Sequence, residues 1–425
     1  MRRHARPDES RPNPFTVQLN HLSLTNFRNY TRLELPLGDR VTIIQGANAQ
    51  GKTNLLEAIH LLATARSPRA GAERELINWL ALEGPLPYAR LLGEIGAGRD
   101  AQRLELVLEL ANNGNALGPA VRKQVRINGA PKRALDLVGR LRVVLFLPED
   151  VSLVAGAPAE RRRYLDIALC QISADYCRAL SEYGKGLAQR NALLRRLRDF
   201  GGDPGQLAFW DAQLAEHGST IIHRRNRAVQ ELDRLAAERH RDLTRDAERL
   251  RLGYLPSPDP DFTAAANGRR AEAVKRQRLA EGRPPYQAAT CEAIRESFLA
   301  GLRDAQPREI AAGTCLIGPH RDDMAFTVDG RDLRAFGSRG QQRTAALALK
   351  LAEVQMMTAE TAESPLLLLD DVMSELDATR RRALLDALAG VDQAIVTTTD
   401  WSDFAAELLE QARTLCVERG TVVAT

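Results

Sequence analysis

A chain of 425 residues with 44% apolar and 27% charged side chains can bury a sizeable core and has the length for two lobes. A net charge of +4 permits nucleic-acid binding without demanding it, and the excess of arginine over lysine fits phosphate contacts or codon bias equally. Five cysteines (Cys170, Cys177, Cys291, Cys315, Cys416) lack C-x-x-C or zinc spacing, and no apolar run approaches the ~18 residues of a membrane span. The pattern excludes a disulfide scaffold and a helical membrane protein, and points to a reduced cytoplasmic protein.

In chain order, residues 1–15 read as a disordered basic tail, or as the product of an upstream start codon, because they are Pro- and Arg-rich with no apolar segment. Val17 to Leu24 and Leu33 to Leu37 alternate as strands, and Pro36 places the second at a sheet edge. Val41 to Ile44 is a short buried strand, and Asn54 to Ala63 is a helix with Leu55, Ile59 and Leu62 on one face. Further strands fall at Leu104 to Leu110, at Val125 to Pro131 around an Asn128-Gly129 turn, and at Leu141 to Leu147. From Pro158 to about Leu250 the pattern is helical and Arg-rich, and residues 251–290 form a Pro/Asp-rich break with an Arg-rich excursion. Strands return at Thr314 to Ile317 and at Ala325 to Phe336, bent at Asp329-Gly330. A helix (Thr344 to Met357), a strand (Leu366 to Leu369), a helix (Ala378 to Leu388) and a strand (Ala394 to Thr398) close the chain. The expectation is an α/β nucleotide-binding domain split in two, 16–150 and 310–425, by a helical lobe at 151–309.

Between the strand at 41–44 and the helix at 54 lies G-A-N-A-Q-G-K-T, a complete G-x-x-x-x-G-K-T phosphate loop: Gly46, Ala47, Asn48, Ala49, Gln50, Gly51, Lys52 and Thr53. A strand before it and a helix after it are the context that this chemistry requires. The backbone N–H groups converge on phosphate oxygens, reinforced by the helix start. Lys52 then reaches the β- and γ-phosphates of ATP, and the Thr53 hydroxyl ligates Mg²⁺.

The apolar run Leu366 to Leu369 ends in Asp370 and Asp371, as a central parallel strand delivering carboxylates to a metal does. Asp370 is assigned to Mg²⁺, directly or through water, and Asp371 is the candidate general base, with a loop-capping role as the alternative for each. A third element, Ser338-Arg339-Gly340-Gln341 at a helix start, offers a hydroxyl, free N–H groups and a positive dipole end. One chain already holds one phosphate cradle. Ser338, Gly340 and Gln341 therefore either complete the site of a second copy in a two-fold dimer, or merely cap a helix.

The ordered set Asn26-Phe27-Arg28-Asn29-Tyr30, the phosphate loop through Ala58, Arg66-Ser67-Pro68-Arg69, Pro148-Glu149-Asp150, Arg161-Arg162-Arg163, Gln189-Arg190-Asn191, Gly318-Pro319-His320-Arg321-Asp322-Asp323, Ser338 to Arg343 and Leu369-Asp370-Asp371 resembles the RecF family of bacterial recombination-repair ATPases, relatives of ABC and SMC proteins. The resemblance covers nearly the whole chain after the tail. It implies a P-loop head of ABC/SMC type with an inserted helical lobe, an ATP-dependent homodimer, weak DNA-dependent ATP hydrolysis, and binding of single-stranded and duplex DNA at gaps. It also implies work with RecO and RecR in loading RecA, and a part in the SOS response. By the same resemblance Arg28 and Arg66 touch nucleotide; as residues, each is equally a surface arginine. His320 is open between a functional role and a structural one, and Arg161 to Arg163 between a grip on DNA and an exposed basic helix start. One departure is Ala49, where the family usually has glycine; at φ > 0 it costs about 1 kcal/mol and lowers nucleotide affinity.

Other functions fit less well. A transport ATPase packs the three motifs into a shorter stretch, and an SMC or zinc-hook protein needs long heptads or C-x-x-C. A nucleotide-gated scaffold without catalysis has the same motifs.

Overall fold

The computed structural model describes residues 17–111, 120–259, 286 and 289–424. The basic tail and the Arg-rich part of the 251–290 excursion lie outside the described residues. Within them the chain forms two compact units. The first comprises residues up to 147, 357–377 and 384–425, the second residues 148–356 and 378–383. The second unit thus runs to 356, whereas the helical pattern suggested a boundary near 309.

The first unit has two sheets. Strands β1 (Leu19–Phe27), β2 (Tyr30–Pro36), β4 (Tyr88–Ile95), β5 (Gln102–Ala111), β6 (Ala120–Ile127) and β7 (Ala130–Lys132) form an antiparallel sheet in the order β2-β1-β4-β5-β6-β7. Pro36 ends the edge strand β2, where a missing N–H removes no ladder bond. Asn128 (φ 52°) and Gly129 (φ 79°) make the β6–β7 turn, both in the left-handed region that a two-residue hairpin demands. β4 pairs on both edges inside this sheet and had no counterpart among the expected strands.

The second sheet has the order β15-β14-β3-β13-β12-β8, from β3 (Val41–Gln45), β8 (Val143–Phe146), β12 (Leu366–Asp370), β13 (Ala394–Thr398), β14 (Arg413–Glu418) and β15 (Thr421–Ala424). All its pairings are parallel except β14–β15. Strands β3, β8, β12 and β13 are apolar runs because parallel strands here are covered on both faces. Helix α1 (Lys52–Thr64) packs against strands of both sheets. It is therefore buried nearly all round, Leu56, Ala58 and Leu61 as well as Leu55, Ile59 and Leu62, not on the single face that its sequence suggested.

The second unit is built on α2 (Pro158–Ile172), α3 (Ala174–Phe200), α4 (Leu207–Thr244) and α5 (Cys291–Ala312), with an antiparallel sheet β11-β10-β9. β9 is Leu250–Leu255, inside what read as a break. β10 (Asp323–Val328) and β11 (Arg331–Asp332) form a hairpin, and Leu333–Phe336 is one helical turn rather than more strand. Thr314 to Ile317 is not a strand. Its backbone is taken by side chains: Cys315 N–H donates to Asn191 Oδ1 (2.7 Å), and Leu316 N–H to Glu309 Oε1 (2.7 Å). Helix α6 (Arg339–Thr361) follows, and α7 (Ala378–Ala389) begins after β12.

Candidate nucleotide-binding site

β3 delivers Gly46 into the loop, where its N–H donates to Thr398 O of β13 (3.2 Å). A side chain at Gly46 would put Cβ 2.6 Å from Val417 O; at Gly51 (φ 119°) it would lie 2.5 Å from Asn29 Nδ2. Both places admit glycine alone. Ala49 sits at φ 65°, the left-handed conformation anticipated for this position. The loop is tied from behind. Gln50 O accepts Asn29 Nδ2 (2.9 Å) and the Gly420 N–H (3.1 Å), Gln50 Oε1 accepts the Arg419 N–H (2.7 Å), and the Tyr30 hydroxyl donates to Gly51 O (3.0 Å). The β1–β2 and β14–β15 turns thus brace one residue. The sequence reading missed the β14–β15 turn altogether; the Arg419-Gly420 step after an alternating apolar stretch was its only signal.

On the other side, the backbone N–H groups from Ala47 to Thr53 donate to no acceptor among the described residues. They stand at the N-terminus of α1 and form an anion cradle. Lys52, 6% exposed, donates from Nζ to Gly46 O (2.5 Å) and Ala47 O (3.3 Å), carbonyls of the loop itself. Burial pushes its pKa down, and the charges of Asp371 and Asp370 oppose that shift.

β12 ends at Asp370, beside β13. Thr397 Oγ1 donates to Asp370 Oδ1 (2.9 Å) and accepts the Asp371 N–H (3.0 Å), so one hydroxyl sets both aspartates. Asp371 adopts φ 52°, and its Oδ1 is buried with no hydrogen-bond partner among the described residues. Burial raises its pKa, Lys52 counters, and Asp370 and Asp403 add to the rise. A strained backbone carrying an unsatisfied carboxylate oxygen is an arrangement suited to polarising water.

Arg28 is otherwise engaged. Its guanidinium holds Glu57 of α1 with two bonds (2.8 and 2.9 Å) and Glu75 O with a third (2.9 Å). Glu57, 2% exposed, also accepts the Ser67 hydroxyl. The pair locks the β1–β2 turn onto α1. Arg66 has an exposed side chain, and its carbonyl accepts Thr64 Oγ1 (2.9 Å).

Ser338, Gly340 and Gln341 belong to the second unit and stand exposed or half-buried at the start of α6. The Ser338 N–H donates to Gln341 Oε1 (2.9 Å) and the Gln341 N–H to Ser338 Oγ (3.2 Å), a reciprocal capping box. The same unit buries three arginines. Arg161, 1% exposed, pairs with Asp323 (2.6 and 3.1 Å), so it is neither a DNA grip nor an exposed helix start. Arg225 pairs with Asp322 (2.8 Å) and Asp166 (2.7 Å), and Arg190 with Asp211 (2.7 Å). His320 bonds the Tyr183 hydroxyl through Nδ1 (2.7 Å), and burial lowers its pKa to about 4: a neutral, structural histidine.

Fold and site define a P-loop ATPase of the ABC/SMC-head type. The family model described as the RecF/RecN/SMC N terminal domain matches residues 18–418. Curated relatives called DNA replication and repair protein RecF include one from Chloroflexus aurantiacus, 43% identical over 96% of this chain and all of its own length. Another, from Roseiflexus castenholzii, is 44% identical over 95% of this chain and 99% of its own length. A solved structure titled as the recombination mediator protein RecF-ATP in the RecFOR pathway matches with a TM-score of 0.80 at 30% identity, covering 97% of this chain and 98% of that one. The chain belongs to the RecF family.

Proposed function

We propose that this chain binds ATP with Mg²⁺, pairs with a second copy in a two-fold dimer when ATP is bound, and in that form holds DNA at gaps during recombinational repair. The run of backbone N–H groups from Ala47 to Thr53 with no acceptor among the described residues, together with the Lys52 ammonium held at the loop carbonyls, is the observation that carries the ATP reading. Those N–H groups cradle the phosphates, and Lys52 exchanges its loop carbonyls for phosphate oxygens. Thr53 and Asp370 are the residues that would hold Mg²⁺, which neutralises charge on the β- and γ-phosphates. Asp371 takes the proton of the attacking water through its unpaired oxygen. That oxygen favours slow hydrolysis over a scaffold without turnover. Ser338, Gly340 and Gln341 serve the nucleotide of the partner copy. Arg28 positions the β1–β2 turn beside the nucleotide, and Arg66 offers its exposed guanidinium to it.

Family membership supports the rest: single- and double-stranded DNA as ligands, RecO and RecR as partners in loading RecA, a role in the SOS response, and a cytoplasmic setting. Among the described residues no helix is long and apolar enough to cross a membrane. Sedimentation velocity with a non-hydrolysable ATP analogue and gapped duplex tests the reading. The wild type should sediment as a DNA-bound dimer, and Ser338→Arg should take up ATP yet stay monomeric. A wild type that stays monomeric at saturating nucleotide refutes it.

A further inference from the structure

We propose that Glu248 is a positioning residue for the Ser338 element, fixing its geometry for the nucleotide of a second copy through the side chain of Gln341. The proposal deepens the dimer reading above and rests on it. Glu248 lies between α4 and β9, and its Oε1 accepts Gln341 Nε2 (2.9 Å). The oxygen of the same amide accepts the Ser338 N–H (2.9 Å). Each end of the Gln341 amide therefore has one assigned partner. Reversed, the amide would set its oxygen against the Glu248 carboxylate and its NH₂ against the Ser338 N–H, repulsive at both ends. Glu248 thus selects the orientation in which the capping box closes, and a charged acceptor makes that bond stronger than a neutral one.

The consequence falls on Ser338. Its hydroxyl accepts the Gln341 N–H (3.2 Å), which leaves the hydroxyl proton to donate elsewhere. That proton is directed reproducibly only while the box is closed, and the turn itself is exposed. An exposed capping box alone is weak and frays. Here it is held by Glu248 at the Gln341 amide and by Arg380 at the first turn of α6. From α7, Arg380 donates through Nε to Thr344 Oγ1 (3.0 Å) and through Nη2 to Gly340 O (3.4 Å). Glu248 is the one acidic group among these holding the Gln341 amide, and nothing in the sequence near position 248 announces it.

The test uses the full-length chain with Glu248→Ala and Glu248→Gln. Dimerisation is followed by sedimentation with a non-hydrolysable ATP analogue, and binding by titration of a fluorescent one. Glu248→Ala should weaken dimerisation about tenfold, as loss of a hydrogen bond to a charged group does. Its nucleotide affinity should be unchanged. Glu248→Gln retains an acceptor oxygen and should restore dimerisation to near wild type. Where the wild type dimerises, equal dimerisation in wild type and Glu248→Ala, or equal impairment in both variants, overturns the proposal. If Glu248→Ala is too unstable, Glu248→Leu, which keeps the bulk and has no acceptor, decides in a cycle with Gln341→Ala: it should weaken dimerisation while Gln341 is present and have no effect once Gln341 is gone, and additive losses overturn the proposal. Amide hydrogen exchange at Ser338 and Gln341 without nucleotide separates this inference from the dimer reading. Exchange faster in Glu248→Ala supports it whether or not the wild type dimerises, and unchanged exchange overturns it.

Discussion

The phosphate loop and the Ser338 element both sit at helix starts, yet they treat their polar groups in opposite ways. Among the described residues, the N–H groups from Ala47 to Thr53 in the loop donate to no acceptor and Asp371 Oδ1 has no partner, and Ala49 and Asp371 hold left-handed backbones. The turn from Ser338 to Gln341 closes its hydrogen bonds on itself and on Glu248. The first region is preorganised for a ligand, with its shape enforced from behind by Asn29, Arg419 and Gly420. The second caps its helix through Ser338 and Gln341, leaves the Arg339 and Gly340 N–H groups with no acceptor among the described residues, and gains a further role only when something is brought to it. Unsatisfied groups that the surrounding structure holds in place suit the loop to a ligand.

The largest effects should come from removing what the first region leaves unpaired. Lys52→Met should weaken ATP binding and abolish turnover, a loss of about 10²- to 10³-fold or more in rate, since an oriented cation at developing negative charge is worth that much. Asp371→Asn should separate the two functions, with binding kept and single-turnover hydrolysis about 10²- to 10⁴-fold slower. Normal hydrolysis in either variant would remove the assignment. A comparable energy, spent on stability instead, is expected in the second unit. Arg161→Met strips the buried Asp323 carboxylate of its cation and should lower unfolding stability by about 3–5 kcal/mol in denaturant titrations. A variant that unfolds like wild type but loses DNA would restore the DNA-gripping role to Arg161.

That contrast also explains what the sequence made legible. The strands β3, β12 and β13 were readable because covered parallel strands are apolar throughout, and the loop because its glycines and lysine are fixed by the phosphate chemistry. β4 was missed since Gly93 and Arg90 interrupt its pattern, and Thr314 to Ile317 was misread because its apolar residues are buried without a ladder. The arginines misled most. Arg161, Arg190 and Arg225 look like a basic surface in a helical stretch, yet each is buried against carboxylates up to 162 residues away. Long-range charge pairing has no local signature, so the stretch around His320-Arg321-Asp322-Asp323 gave no hint of being the centre of a buried network.

The smallest effect sharpens the comparison further. Ala49 carries left-handed strain of about 1 kcal/mol. If the loop took this shape only on binding, that energy would be drawn from affinity, and Ala49→Gly would tighten ATP about fivefold. Ala49 stands at φ 65° beside Gln50, which Asn29, Arg419 and Gly420 brace from behind, so the fold itself holds the left-handed backbone and the strain is met in folding. Ala49→Gly should therefore shift the ATP dissociation constant by less than about twofold in calorimetric titration. Its melting temperature should stay within about 2 °C, because relief of the left-handed backbone is offset by the greater entropy of glycine in the unfolded chain. A fivefold tightening would instead mean that the loop relaxes between nucleotides, and that the brace from the β14–β15 turn yields.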